Sequence, residues 1–244
     1  MTFTRRSAPL SRSTFPTDWT PTAVVFDCDG VLMDTEKSWV ATIARVSHDL
    51  GLDSPQILAD KLTALPASTI AEALAREELP DTAQQAEIEG RGSEILSLLS
   101  DLDVQRIEQG VDLIPGAMEL VRECSEVLPV GVASNSTRAI LDAKLETTGF
   151  KRFLGTWVSC DDVPYGKPEP DMYVKAVKEL QGSCERALTF EDSGPGAAAA
   201  VAAGTRVVAL AEDVTAAPPA HFATSSFEDP DFRERMRTWL GTSG

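Results

Sequence analysis

Five short apolar runs, at residues 23–26, 128–133, 156–159, 187–190 and 206–210, divide this chain, and helical patterns lie between the later ones at 136–148, 170–181 and 194–203. Runs dominated by apolar residues, without the alternation of a half-exposed strand, belong to strands buried on both faces. Gly149, Gly182 and Gly204 stand where helices close on a left-handed residue. Strand alternating with helix predicts an α/β fold built on a parallel sheet covered on both sides.

The interval 34–112 breaks the alternation, offering helix after helix and no strand. Residues 34–50 are amphipathic and end at Gly51. Ser54 before Pro55 reads as a cap with proline in the first turn, and Thr69 with Glu72 and Asp81 with Gln84 have the spacing of capping boxes. An inserted subdomain of about four helices follows, and Ile114-Pro115-Gly116 marks the turn back. The expected division is a flexible tail at 1–20, a sheet core at 21–33 and 113–244, and a helical insertion at 34–112.

Composition removes several function classes. With 43% hydrophobic and 25% charged residues among 244, the chain can bury a real core. The tail carries Arg5, Arg6 and Arg12 but no apolar stretch behind them, so it does not read as an export signal. No run approaches the roughly 18 apolar residues of a membrane span. Cys28, Cys124, Cys160 and Cys184 are scattered, against a zinc site or disulfide framework and consistent with a reducing cytoplasm. A net charge of −16 argues against an extended nucleic-acid surface and calls for a local cation wherever an anion binds.

The first apolar run leads directly into Asp27-Cys28-Asp29-Gly30-Val31, two carboxylates at a strand end, where open parallel sheets gather their ligands. A calcium loop does not fit, because Val31 occupies the third ligand position and Leu32 that of the required glycine. Three more polar groups follow later runs: Ser134-Asn135, Gly166-Lys167-Pro168-Glu169-Pro170, and Glu191-Asp192-Ser193-Gly194. Singly, each could be a helix cap or a solvated charge. Together they bring a hydroxyl, an ammonium and carboxylates to one edge of one sheet.

In that order, Asp27-Cys28-Asp29-Gly30-Val31, Ser134-Asn135, Gly166-Lys167-Pro168-Glu169-Pro170-Asp171 and Glu191-Asp192 resemble the four motifs of haloacid dehalogenase superfamily phosphatases. The resemblance extends from Ala23 to Leu210 and is nearest to the branch of beta-phosphoglucomutase, phosphoglycolate phosphatase and sugar-phosphate phosphatases. It implies a Rossmann-like core, an all-helical cap inserted after the first motif, and Mg²⁺. Asp27 would attack phosphorus, and Asp29 would act first as acid and then as base. Asp27, Asp192 and the main-chain carbonyl of Asp29 would hold the metal, with Glu191 in the outer ring. Lys167, Ser134, Asn135 and Gly30 would bind the phosphoryl oxygens.

Substrate choice falls to the insertion, where Glu36, Lys37, Trp39 and Leu65, the last within Thr63-Ala64-Leu65-Pro66, are the candidates. For Trp39 the alternative is hydrophobic packing, and Arg76 and Arg91 read as solvated charges. Mutases of this branch carry a histidine near the start of the first cap helix. Here Trp39 stands at that place, and the only histidines are His48 and His221. Dehalogenases lack the second aspartate, present as Asp29, and a non-catalytic phosphate-binding module would lack one of the aspartates or the lysine. The expectation is therefore a cytoplasmic, monomeric, Mg²⁺-dependent phosphatase. Its partner would be a small-molecule phosphate ester of a sugar, polyol or glycolate, with no nucleic acid or membrane involved; a mutase or a non-catalytic module is the alternative.

Overall fold

The computed structural model describes residues 19–62, 65 and 67–242. In chain order the strands are β1 (Ala23–Phe26), β2 (Met33–Asp34), β3 (Asp112–Leu113), β4 (Val130–Ala133), β5 (Thr156–Val158), β6 (Ala187–Glu191), β7 (Arg206–Leu210) and β8 (Phe222–Thr224). The helices are α1 (Glu36–Asp49), α2 (Pro55–Leu62), α3 (Ala67–Glu78), α4 (Gln85–Glu108), α5 (Ala117–Val127), α6 (Arg138–Thr148), α7 (Asp171–Glu179), α8 (Gly194–Ala202) and α9 (Pro230–Leu240). The described residues form two compact units: 19–33 with Leu113–Leu141 and 149–242, and those within Asp34–Asp112 with Asp142–Thr148.

The first unit is an α/β sheet domain with strand order β5-β4-β1-β6-β7-β8, every pairing parallel. From β1 the chain builds outward through β4 and β5, then returns to the other side of β1 for β6, β7 and β8. That reversal makes the carboxyl end of β1 the switch point of the sheet, where a crevice opens for ligands. Side chains alternate along β1. Ala23 and Val25 join Met172, Tyr173, Ala176, Ala197 and Ala200 of α7 and α8 in one buried cluster. On the opposite face Phe26 stacks on Phe190 at 4.6 Å, and Phe190 meets Phe227 and Phe232 edge-on at 5.7 and 6.2 Å. Each such ring pair adds about 0.5–1.5 kcal/mol beyond its buried area.

The second unit is all helical. Ile43 and Val46 of α1, Ile70 and Leu74 of α3, and Ile95 and Leu99 of α4 make its buried core. α3 and α4 cross closely at Gly92, where an added Cβ would lie 3.2 Å from Glu72 Cγ. Among the described residues no helix is long and apolar enough to cross a membrane.

Several local expectations are corrected. β4 begins at Val130 because Pro129 has no N–H to give the sheet. Thr69 lies inside α3 and Asp81 ahead of α4; the capping box is Gln84 with Glu87, whose carboxylate accepts the Gln84 N–H at 2.7 Å. Ser54 takes a left-handed φ of 51° before α2. After α7 the left-handed residue is Gln181, not Gly182, whose lack of a side chain lets Ala23 approach. α5, β8 and α9 are elements that the apolar runs do not announce. Of the expected tail, residues 1–18 lie outside the described residues. Trp19 and Thr20 are tied down, Trp19 donating its indole N–H to Glu185 O and Thr20 O accepting from the Arg186 guanidinium.

Candidate active site

β1 ends at Phe26, and the next residue, Asp27, donates its N–H to Phe190 O at 2.9 Å, so its side chain leaves the sheet at the switch point. Lys167, from the loop between β5 and α7, places Nζ 2.5 Å from Asp27 Oδ1 and 2.7 Å from Glu191 Oε1 at the end of β6. The Lys167 side chain is 4% exposed and that of Glu191 fully buried. Asp192 follows directly, and Asp27, Glu191 and Asp192 can each present a carboxylate oxygen within 4.8 Å of the others.

One ammonium among these acids leaves an excess of negative charge, and their ionisation registers it. Burial pushes the Asp27 carboxyl well above the ordinary range against the pull of Lys167, and Glu191, Asp192 and Asp29 add to the rise. Burial and the Glu191 charge push Asp192 up to about 6. Burial also works against the Lys167 ammonium, but Asp27 and Glu191 outweigh it and hold its pKa above the usual range.

Asp29 turns to a different set of partners. Ser134 Oγ and Ser136 Oγ donate to its Oδ2 at 3.4 and 3.2 Å. Asn135, expected at the phosphate, is engaged elsewhere: its Oδ1 accepts the Lys167 N–H at 2.9 Å and its Nδ2 donates to Lys167 O at 3.3 Å, so the amide braces the lysine loop. Gly30, expected at the phosphate, gives its N–H to Met33 O at 2.8 Å in the tight turn. Its role there is spatial: its φ is 77°, and a Cβ would overlap the Asp192 carboxylate. Glu191, expected in an outer ring around a metal, lies with Asp27 and Asp192 in the acidic group and also pairs with Lys167.

Two residues escaped the sequence reading. Tyr173 on α7 is fully buried, its hydroxyl donates to Glu191 Oε1, and its ring centre lies 5.1 Å from Lys167 Nζ. Burial and the Glu191 charge push the phenol up, so it stays neutral and can donate. The other is Ser136. A signal existed for Tyr173, since a tyrosine on a helix face that is otherwise apolar, beside Met172 and Ala176, needs a partner for its hydroxyl.

In the helical unit, Lys37 and Leu65 are exposed, while Trp39 is partly buried against the unit's own core, which favours packing as its role. The Glu36 side chain and Thr63, Ala64 and Pro66 lie outside the described residues. Arg76 donates to Gln85 Oε1, and Arg91 pairs with Glu78 and Glu94.

Comparison with known proteins agrees with this geometry. Residues 21–204 match the family model of haloacid dehalogenase-like hydrolases. Protein CbbY of Rhodobacter capsulatus is 31% identical over 217 residues, 86% of this chain and 92% of its own. A phosphorylated carbohydrates phosphatase of Thermotoga maritima is 27% identical over 185 residues, 75% of this chain and 81% of its own. A bifunctional riboflavin kinase/FMN phosphatase of Arabidopsis thaliana is 42% identical over 100 residues, 40% of this chain but only 26% of that longer protein. The crystal structure of CbbY from Rhodobacter sphaeroides with xylulose-(1,5)bisphosphate superimposes with a TM-score of 0.70 at 24% identity, covering 86% of this chain and 96% of the other. With the motif residues gathered at one sheet edge and three quarters of the chain inside the family model, the chain belongs to the haloacid dehalogenase-like hydrolases.

Proposed function

We propose that the protein is a Mg²⁺-dependent phosphatase that hydrolyses a small phosphorylated sugar or polyol through an aspartyl-phosphate on Asp27. The chemistry belongs to the core at 21–33 and 113–244, and substrate selection to the insertion at 34–112. The observation that carries this reading is the Lys167 ammonium on Asp27, with Asp192 converging on the same point. The substrate class is supported by the phosphorylated carbohydrates phosphatase among the relatives and by the sugar bisphosphate bound to the structural neighbour.

Lys167 donates to one oxygen of Asp27 and leaves the other to attack phosphorus in line. As the bond from Asp27 to phosphorus forms, the ester P–O bond breaks and Asp29 protonates the departing alkoxide. Asp29, now ionised, takes a proton from water, whose oxygen attacks phosphorus and releases phosphate and the Asp27 carboxylate. Ser134 and Ser136 hold Asp29 in one orientation for both steps. Two of the three Lys167 N–H groups reach carboxylates, which leaves the third for a phosphoryl oxygen.

The donor set fits a hard divalent cation: it is all oxygen, and burial, with the neighbouring carboxylates adding to it, holds Asp27 and Asp192 above their ordinary pKa range. Asp27, Asp192 and the Asp29 carbonyl would hold Mg²⁺, which supplies charge neutralisation and Lewis-acid stabilisation of the phosphoryl oxygens when bound. Hydrolysis is favoured over mutase chemistry by the histidines: His48 sits beside Asp49 at the end of α1, and His221 accepts the Val207 N–H in the sheet domain.

The test is a panel of sugar, polyol and glycolate phosphates with Mg²⁺, run on the wild type and Asp27→Asn. Turnover by the wild type, none by the variant, and a phosphoryl group trapped on Asp27 by acid quench are the expected results. A fully active Asp27→Asn, or a wild type inert on every ester, would overturn the reading.

A further inference from the structure

We propose that Tyr173 is a positioning residue of this reaction, its buried phenol fixing Glu191 so that the Lys167 ammonium is shared with Asp27. The inference rests on the phosphatase reading above and adds a residue outside the four motifs.

Glu191 is constrained from four directions. Its Oε1 accepts from both Lys167 Nζ and the Tyr173 hydroxyl, and its Oε2 lies 3.1 Å from Ser193 Oγ and 3.4 Å from Ser193 N. Gly196 gives the carboxylate its space, since a Cβ there would overlap it. Two carboxylates compete for one ammonium, and the pull of Glu191 depends on how much of its acceptor capacity is already used. The phenol occupies part of Oε1 and stops the carboxylate from turning toward the oxygens of Asp27 and Asp192. Its ring adds a second constraint, 5.1 Å from the ammonium and within cation–π range. A residue serving packing alone would not need the hydroxyl, because its buried neighbours Met172, Ala176 and Val177 are apolar.

Tyr173→Phe keeps the ring and removes the hydroxyl, while Tyr173→Leu removes both. On the best ester of the panel, Tyr173→Phe is expected to lower kcat about tenfold, the scale of one hydrogen bond to a charged group, with KM nearly unchanged and the leucine variant lower still. Combined with Glu191→Gln, the phenylalanine substitution should add little, because both act through one carboxylate. A readout independent of turnover is the Lys167 ammonium signal in the ¹H–¹⁵N spectrum of lysine-labelled protein, identified by its absence in Lys167→Met. That signal should be protected in the wild type and shifted or lost in Tyr173→Phe at a temperature where the variant is still fully folded. Unchanged kcat and ammonium signal in Tyr173→Phe, or losses that multiply with Glu191→Gln, would overturn the proposal. A wild type inert on the whole panel would overturn the phosphatase reading instead, with the ammonium signal still deciding the role of Tyr173.

Discussion

Replacing Gly196 with alanine sets helix propensity against the geometry of the site. Alanine inside a helix is worth about 1 kcal/mol over glycine; at Gly194, in the first turn of α8, an added Cβ meets no atom within 4 Å beyond its chain neighbours, but Pro195 follows and crowds a Cβ on a helical residue before it. At Gly196 the same Cβ overlaps the carboxylate of Glu191, a buried group that cannot retreat into solvent. Driving Glu191 from Lys167 breaks one arm of a buried ion pair, a change that costs about 3–5 kcal/mol when a charge is left alone. Lys167 keeps Asp27, which puts the loss at the lower end. After the propensity gain, Gly196→Ala should lose about 2 kcal/mol, or about 4–8 °C in Tm for a chain of this length. Gly194→Ala should be close to neutral, its propensity gain offset by the proline that follows. Urea and thermal unfolding followed by circular dichroism measure both, and kcat should fall only in Gly196→Ala. If Gly196→Ala unfolds with the wild type and keeps its activity, Glu191 is not held where the structure has it.

Asn135→Ala removes both hydrogen bonds to the Lys167 main chain and should lower kcat about tenfold with the unfolding temperature little changed, read by steady-state kinetics beside calorimetry. His221 supplies a pH dependence: burial, then the Arg206 charge, hold its pKa below the ordinary 6.5, and its Nδ1 accepts the Val207 N–H at 3.0 Å, which requires the neutral ring. Between the folded and unfolded pKa values the unfolded chain binds more protons, so the contribution is complete above about 6.5 and is lost as pH falls through the folded value. The stability difference between wild type and His221→Gln should therefore shrink on acidification from neutral pH, and a pH-independent difference would refute it.

Strands buried on both faces are legible because nearly every position is apolar, with only Thr189, Glu191 and Arg206 polar among them, so β1, β6 and β7 coincide with apolar runs to within a residue. β8 has three residues, only Thr224 buried, and no such run to betray it. α9 is different, for its signals are present: Asp229 caps it, Pro230 opens it, Gly241 closes it, and Phe232, Met236 and Trp239 share its buried stripe. Its charged residues mask that stripe when apolar density alone is followed. At the site, Asp27 and Asp192 can be read because each stands just beyond a strand end, and Lys167 because the prolines around it mark a turn in the loop after β5. Tyr173 and Ser136 work through partners 18 and 107 residues away, Glu191 and Asp29, and even where the helix face of Tyr173 signals that its hydroxyl needs a partner, no local pattern names that partner. Gly30 and Gly196 are visible as glycines, but the carboxylates that require them are visible only in three dimensions.

The excess of acid at the rim carries a final consequence that can be measured without a substrate. A carboxyl whose folded state favours protonation is destabilising when ionised, and burial beside Glu191 puts Asp192 in that position, pushed up to about 6. Without a divalent cation, Asp192→Asn should therefore be more stable than the wild type at neutral pH, since it removes a charge from a crowded cluster. With Mg²⁺ the order should reverse. A ligand at about a hundred times its Kd stabilises by about 2.7 kcal/mol, close to 5–10 °C for a chain of this length, and the variant lacks one of the oxygens that would hold it. Thermal unfolding of both proteins in chelator and in saturating Mg²⁺ gives four temperatures whose crossing is the expected result. A wild type unmoved by Mg²⁺, or a variant that gains as much from it, would mean that the repulsion among Asp27, Glu191 and Asp192 is relieved by something other than a bound cation.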